Sequence, residues 1–497
     1  MINGKSIFED SSRQILINFI KDQQNQERIS VNASIFDLLE KRIIKQLQRK
    51  LVADLGSETA SKVMERIAPI NYYRKVIDKL STIYQYSVIR KVIGGTESDK
   101  DLLAWYEDEL NINDKMNRNN EFYNAYEYAL LQFMLKDPEG LLQKRSPFVR
   151  TIPNHEFLVM NVDNVDPSAA DIYIIFMDPI KMGAETIDVY HVYTDNEFMV
   201  LSGKGDVLTE EMERLDQDGS NPFRTVPFVY ANASENLVMP LLQDDDFEMS
   251  LLIPLLLTDL NYATKFQSFS TIITIDADDE KLKLNPDTII NIKTDEGSEN
   301  ASIQTLKPTV DIDKVLQLCS SEISLWLTGK GIRPGSIGTL SADSFASGVS
   351  KMIDESDTYE SRVKQIEKYK SVEKVFWDKV LKIYHPIWAS SGEIDNTSIF
   401  TSTAEVQVVF PQPRPMQTRL ELLQELGEAI SLNLESRRGA LKALYPDWDE
   451  DEIDEKLAEI DAEKTFNAMF EVVDGQEQDG NQDSSEGAGG FDGGSEV

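Results

Sequence analysis

Cysteine is nearly absent. Cys319 stands alone among 497 residues, which excludes an internal disulfide and fits a reducing compartment. Histidine is almost as scarce. His155, His191 and His385 lie at no metal-ligand spacing from one another or from Cys319, so no zinc site is suggested. Long apolar runs are missing too. The longest, LLIPLLL at 251–257, falls far short of the roughly 18 residues that suggest a membrane span. The opening MINGKSIFEDSSRQ is polar and does not read as a signal peptide. The expectation is a soluble chain with no membrane partner. Positive charge is also short, with 50 Lys and Arg against 86 Asp and Glu and a net charge of −36. Across its length such a chain gains nothing by releasing counterions from DNA, and it repels a duplex except at local basic patches.

Catalytic motifs are absent as well. GKGIRPGS, at 329–336, contains glycines and a lysine but lacks the order of a phosphate-binding loop, and it follows a helix rather than a strand. There is no G-x-S-x-G and no H-E-x-x-H. The DDD and DED clusters read as solvated faces or helix starts rather than metal sites. The expectation is no enzyme, no metal and no cofactor. Tyrosines 72, 73, 84, 86, 123, 126 and 128 suggest base stacking only in the company of a basic groove, and none accompanies them. Like Trp326 and Trp377, they read as packing residues.

What is present is hydrophobic material, 41% of the chain, and a length suited to about three or four domains. Residues 1–150 read as mostly helical. SIFDLLEKRIIKQLQRKLVADLG has apolar residues every three and four positions, with Ser34 to cap its start and Gly56 its end. NYYRKVIDKLSTIYQYSVI, DLLAWYEDELNI and EFYNAYEYALLQFML add three further helices. From 156 to 231 the runs shorten to EFLVMNV, DIYIIFM, IDVYHVYT, EFMVLSG and TVPFVYA, which read as strands. Helix returns at 244–270, where Pro254 either starts or kinks the main segment. A strand-like insert at 271–308 follows, then a helix at 311–331. A loop rich in glycine spans 330–346. A long helix runs on to about 388 with Pro386 ending it, and the strand AEVQVVF (404–410) and two further helices, MQTRLELLQELGEAIS and DEDEIDEKLAEIDAEKTFNAMF, follow. The tail at 474–497 is Gly/Ser/Asp/Glu-rich and is expected to be disordered. No internal repeat is apparent. The fold class is α+β, predominantly helical.

This succession of elements resembles the portal (head-to-tail connector) proteins of tailed bacteriophages. NYYRKVIDKLSTIYQY, NPFRTVPFVYAN, MSLLIPLLLTDLNYATKFQSFSTIITI, FASGVSKM and ELGEAISLNLESRRGALKALYPDWDEDEIDEKLAEI each look like a phrase of that family, in its order, over about 60–470. The resemblance implies a wing from 1–243 and 347–410, and stem helices at 244–270 and 311–329. It also implies a clip at 271–310, a tunnel loop at 330–346, a crown at 411–470 and an acidic tail at 471–497. It implies a cyclic ring, typically a dodecamer, at one capsid vertex of the virion, assembled in the host cytoplasm. Double-stranded DNA would pass through it. Terminase, head–tail adaptor and tail proteins, major capsid protein and scaffolding protein would be its partners. Candidate channel residues are Lys330, Arg333, Gly335, Gly338, Asp343 and Gly348. Candidate subunit-interface residues are Leu251, Leu255, Leu316 and Trp326. Pro254 within the first stem helix and the short crown depart from the family pattern. Two other readings stand beside this one: another ring-forming virion head–tail or tail protein, and a non-viral acidic helical scaffold.

Overall fold

The computed structural model describes residues 2, 4–136, 145–162, 166–182, 185–215, 218–240, 244–268, 271–275, 289–292, 302–306, 311–332, 356–411, 419–445 and 452–462. The protein is a mixed helix and strand chain, 54% helical, so helix outweighs strand as the periodicity indicated. It divides into two compact units, Met1–Gln412 and Pro413–Val497, fewer than its length suggested.

The first unit opens with helices α1 (Asp10–Lys21), α2 (Gln23–Leu39), α3 (Ile43–Leu55), α4 (Ser57–Met64) and α5 (Tyr72–Leu80). Strand β1 (Ile89–Ile93), helices α6 (Glu97–Leu110) and α7 (Ile112–Tyr126) and strands β2 (Tyr128–Lys136) and β3 (Ser146–Ile152) follow. Strands β4 (Phe157–Met160), β5 (Ile172–Met182), β6 (Glu185–Tyr193) and β7 (Phe198–Ser202) form a four-stranded antiparallel meander. After α8 (Thr209–Arg214), strand β8 (Phe228–Asn232) joins β2 and β3 in the order β3-β2-β8.

Several helical expectations fail here, each for a visible reason. EFYNAYEYALLQFML is not one helix. It breaks at Glu127, whose φ of 62° is left-handed, and continues as β2. That strand is central and buried on both faces: Tyr128 and Leu130 face one core, Leu131 and Phe133 the other. A strand covered on both sides shows no polar alternation, so its pattern passes for helix. The span from Ser34 to Gly56 is likewise two helices. Lys41 takes a φ of 61°, and the fold-back brings Arg42, Lys45 and Gln46 onto the buried carboxylate of Asp37. Ser34 lies inside α2, its hydroxyl donating to the Ser30 carbonyl. The tyrosine-rich stretch from 71 is helical only to Leu80, and Ile89 already belongs to β1.

The long C-terminal helix is described from α11 (Ser356–Lys379). It passes through a π-helical turn (Val380–Tyr384) into α12 (His385–Ser391). Pro386 therefore does not end the helix. It sits in the first turn of α12, where a missing N–H costs least, and Gly392 at φ 75° closes the segment. Strand β12 (Glu405–Val409) then pairs antiparallel with β1.

That pairing rests on a buried charge. Glu373 of α11 accepts from Arg90 of β1 at both carboxylate oxygens, 2.6 and 2.8 Å, from the Tyr84 hydroxyl at 2.7 Å and from Trp377 Nε1 at 3.1 Å. Arg90 also donates to Glu107 and Asn113. Burial alone lowers the tendency of Arg90 to stay charged, but Glu373 outweighs it and raises the pKa. Nearby, Asp99 accepts the N–H groups of Thr96 and Thr401 at 2.6 and 2.7 Å and both hydroxyls at 2.8 Å. Burial pushes this carboxyl up, yet those hydrogen bonds together hold it at about 2.

The second unit carries α13 (Arg419–Ser431), α14 (Arg437–Leu444) and a helix over 452–462, α15. Helix α14 lies in the stretch between the two terminal helices read from periodicity, and it ends shortly before Pro446. Arg437 pairs with Asp461 and Arg438 with Asp454, tying α14 to α15.

Two outcomes follow. Glu373→Ala strands a buried guanidinium, so urea unfolding should show a loss of about 3–5 kcal/mol; a loss under ~1 kcal/mol contradicts the pairing. Asp99 has a depressed pKa, so its stabilisation is complete above the unfolded carboxyl value, near 3.8, and is lost as pH falls toward 2. Its size is about 2 kcal/mol. The acid transition of Asp99→Asn should lack this contribution, and an unchanged pH profile counts against the clamp.

Candidate functional site

The most distinctive feature is a helical hairpin. Helix α9 (Asp244–Ser268) and helix α10 (Ile312–Gly329) pack against each other. Between them in sequence lie β9 (Thr271–Ile275), β10 (Ile289–Ile292) and β11 (Ser302–Leu306), a small sheet in the order β10-β9-β11. Strand β10 runs parallel to β9 and β11 antiparallel to it. Asp311 caps α10 by accepting the Lys314 N–H. Pro254 lies within α9 rather than at its start. The Thr258 hydroxyl donates to the Pro254 carbonyl at 2.7 Å and accepts the Ala68 N–H at 3.0 Å, pinning the middle of the helix to the segment after α4.

The base of the hairpin is latched by one carboxylate. Asp246, in the first turn of α9, accepts from Trp326 Nε1 at 2.9 Å and forms an ion pair with Lys330, which follows α10. Burial, with the charge of Asp246 beside it, pushes the Tyr73 phenol up. Helix α10 ends in a left-handed Gly331 (φ 66°), and the Ile332 N–H returns to the Leu327 carbonyl at 2.8 Å. The side chain of Ile332 is buried beside the last turn. With the Gly331 N–H on the Thr328 carbonyl, this is the Schellman helix stop that a left-handed glycine permits. A cleft of about 250 Å³ opens here, lined by Asp246, Met249, Glu322, Leu325, Trp326, Gly329 and Lys330.

Of the residues singled out from sequence, Leu251 and Trp326 are buried in this chain's own core, and Leu255 and Leu316 are half-buried. Among the described residues, the large apolar side chains that the hairpin leaves open are Leu252, Leu318 and, at 71% exposure, Leu325. Leu318 and Leu325 stand two turns apart on one side of α10, a seven-residue spacing that the sequence already contained. Lys330 is engaged with Asp246. Arg333, Gly335, Gly338, Asp343 and Gly348 lie outside the described residues. Asp246 itself went unnoticed because a DDD run signals only a helix start.

A second cleft, about 290 Å³, lies between α11 and β8 and includes Tyr173, Tyr230, Val372 and Lys379. Burial pulls the Lys379 amine down to about 8. It donates to the carbonyls of Val226 and Phe228, which makes it a brace for β8. His385 is spent between the Tyr106 hydroxyl and the Ser398 carbonyl. Tyr72, Tyr73, Tyr84, Tyr126 and Tyr128 are buried, as packing residues should be, and Tyr86 is exposed. Among the described residues no three metal-ligating side chains gather, and no helix is long and apolar enough to cross a membrane. No family model matches the chain, and no curated protein matches it.

Replacing Asp246 with Ala removes the Trp326 acceptor and the Lys330 partner together. Amide exchange over 311–332 should accelerate by about tenfold or more, the loss of roughly 1–3 kcal/mol of local stability, and Trp326 emission should shift. Unchanged exchange would mean that Asp246 does not hold the hairpin.

Proposed function

We propose that this chain is the subunit of a bacteriophage portal ring, a non-catalytic conduit for double-stranded DNA and a docking platform at one capsid vertex. The observation that carries the reading is the α9–α10 hairpin, with a small sheet between its helices in sequence and Leu252, Leu318 and Leu325 left exposed on it. An isolated subunit gains nothing by exposing Leu252, Leu318 and Leu325. Identical neighbours around an axis would cover them, because cyclic symmetry presents the same seam to every partner.

In this reading the hairpin is the stem and the β9–β11 sheet is the clip, and the segment after Lys330 faces the bore. The net charge of −36 suits a wall past which DNA must slide, since phosphate finds no deep binding well there. Lys330 is restrained by Asp246, so it would steady the base of each stem before it would grip a phosphate. Terminase, adaptor and tail proteins would meet the clip, with capsid and scaffolding proteins around the ring. The virion is the proposed location, and nuclease and ATPase assays of the purified chain should be blank.

Mass photometry gives the test. The wild-type chain should form a single closed oligomer of many copies, and Leu318→Glu/Leu325→Glu should reduce it to monomers that retain their far-UV circular dichroism. A wild-type monomer at micromolar concentration rules out the ring. An oligomer indifferent to the double substitution rules out the hairpin seam as its interface.

A further inference from the structure

A separate surface stands out against the acidity of the chain. Between 41 and 53 there are five cations, Lys41, Arg42, Lys45, Arg49 and Lys50, and no carboxylate. Most of this stretch is α3. Its inner side, Ile43, Leu47 and Leu51, is buried in the core and anchors the helix. Its outer side carries Ile44, Gln48, Val52 and Leu55 at successive turns, one continuous line on a helix. The three apolar members are 50%, 41% and 47% exposed. Lys45 and Arg49 form the adjoining line.

The charges facing this surface leave a positive surplus. Asp37 alone serves both Arg42 and Lys45, and Glu248 takes Lys50. Glu58, on the adjacent α4, pairs with Lys62, and Glu40 with Arg118. Asp54, at the far end of α3, is the remaining acid on the helix. Lys41 and Arg49 have no carboxylate partner among the described residues.

We propose that the outer face of α3 is a docking surface for an acidic segment of a partner protein that carries apolar side chains at helical spacing. Charge complementarity and the apolar line together select this occupant. A DNA duplex carries a charge every ~1.7 Å and has nothing to lay on Ile44, Val52 and Leu55. An anionic membrane is a broad negative sheet that the acidic remainder of the chain must approach as well. A single protein segment meets only the helix, and beyond about 8 Å salt screens the rest of the chain from it. Its leucines would cover the apolar line while its carboxylates met Arg49, Lys45 and Lys41. This reading stands whether or not the chain forms a ring.

Fluorescence anisotropy with the full chain tests it. The probe is a synthetic helical peptide of about 20 residues with leucines on one face and glutamates flanking them. The wild type should bind it, more weakly as salt rises, and Ile44→Asp/Arg49→Glu should lose about tenfold or more in affinity. Lys181→Glu, which changes charge elsewhere, should bind as the wild type does. Arg49→Glu alone supplies the comparison if the double variant melts early. The proposal is overturned if the peptide fails to bind the wild type or binds wild type and variants alike. It is equally overturned if polyglutamate, a DNA duplex or phosphatidylglycerol vesicles bind as tightly through the same residues, or if the substitutions alter only self-association.

Discussion

Arg90 and Glu373 lie 283 residues apart in sequence and are both withdrawn from water. Neither charge is tolerable there without the other, because desolvation of an ion outweighs anything a lone hydrogen bond returns. Their pairing forces β1, α6 and α11 into one body, and it brings β12 alongside β1. Strand β2 does the same for the two cores, presenting alternate residues to each. With the first and last parts of the unit fastened in this way, the α9–α10 hairpin is joined to the body through Thr258 and Glu248, while Asp246 ties its two helices to each other at the base.

That division of labour is the physical case for a ring subunit. A body braced by buried polar contacts keeps its shape under load, and the hairpin spends its inner apolar side on the body while leaving an outer seam uncovered. In the proposed ring, the exposed leucines are covered by the neighbour rather than by the chain itself, and the acidity of the chain keeps DNA from adhering. The exposed face of α3 is a separate surface. It carries opposite charge to the rest of the chain and faces solvent.

The strands from 156 to 231, the hairpin and strands β9 to β11 were all legible, because short β-branched runs between turn residues and long 3.6-residue periodicities are local signals. Two of the errors share one cause. Lys41 and Glu127 adopt left-handed conformations that no glycine advertises, so helices that looked continuous break there in favour of tertiary partners: Asp37 in one case, the flanking strands β3 and β8 in the other. The π-helical turn before Pro386 leaves no local mark in the sequence either. At the site, Trp326 and Leu251 were legible as apolar stripe members, but which stripe faces inward is a property of the whole body. Asp246 could be found only once α10 was seen folded back onto α9.

The central claim is that copies of this chain close around a hole lined by their hairpins. Cryo-electron microscopy of the purified full chain tests it most directly. The expected map is a closed ring with α9 and α10 of every copy ranged about a central channel and the segment following Lys330 directed into it. A monomer, or a ring whose hairpins point away from the symmetry axis, would contradict it.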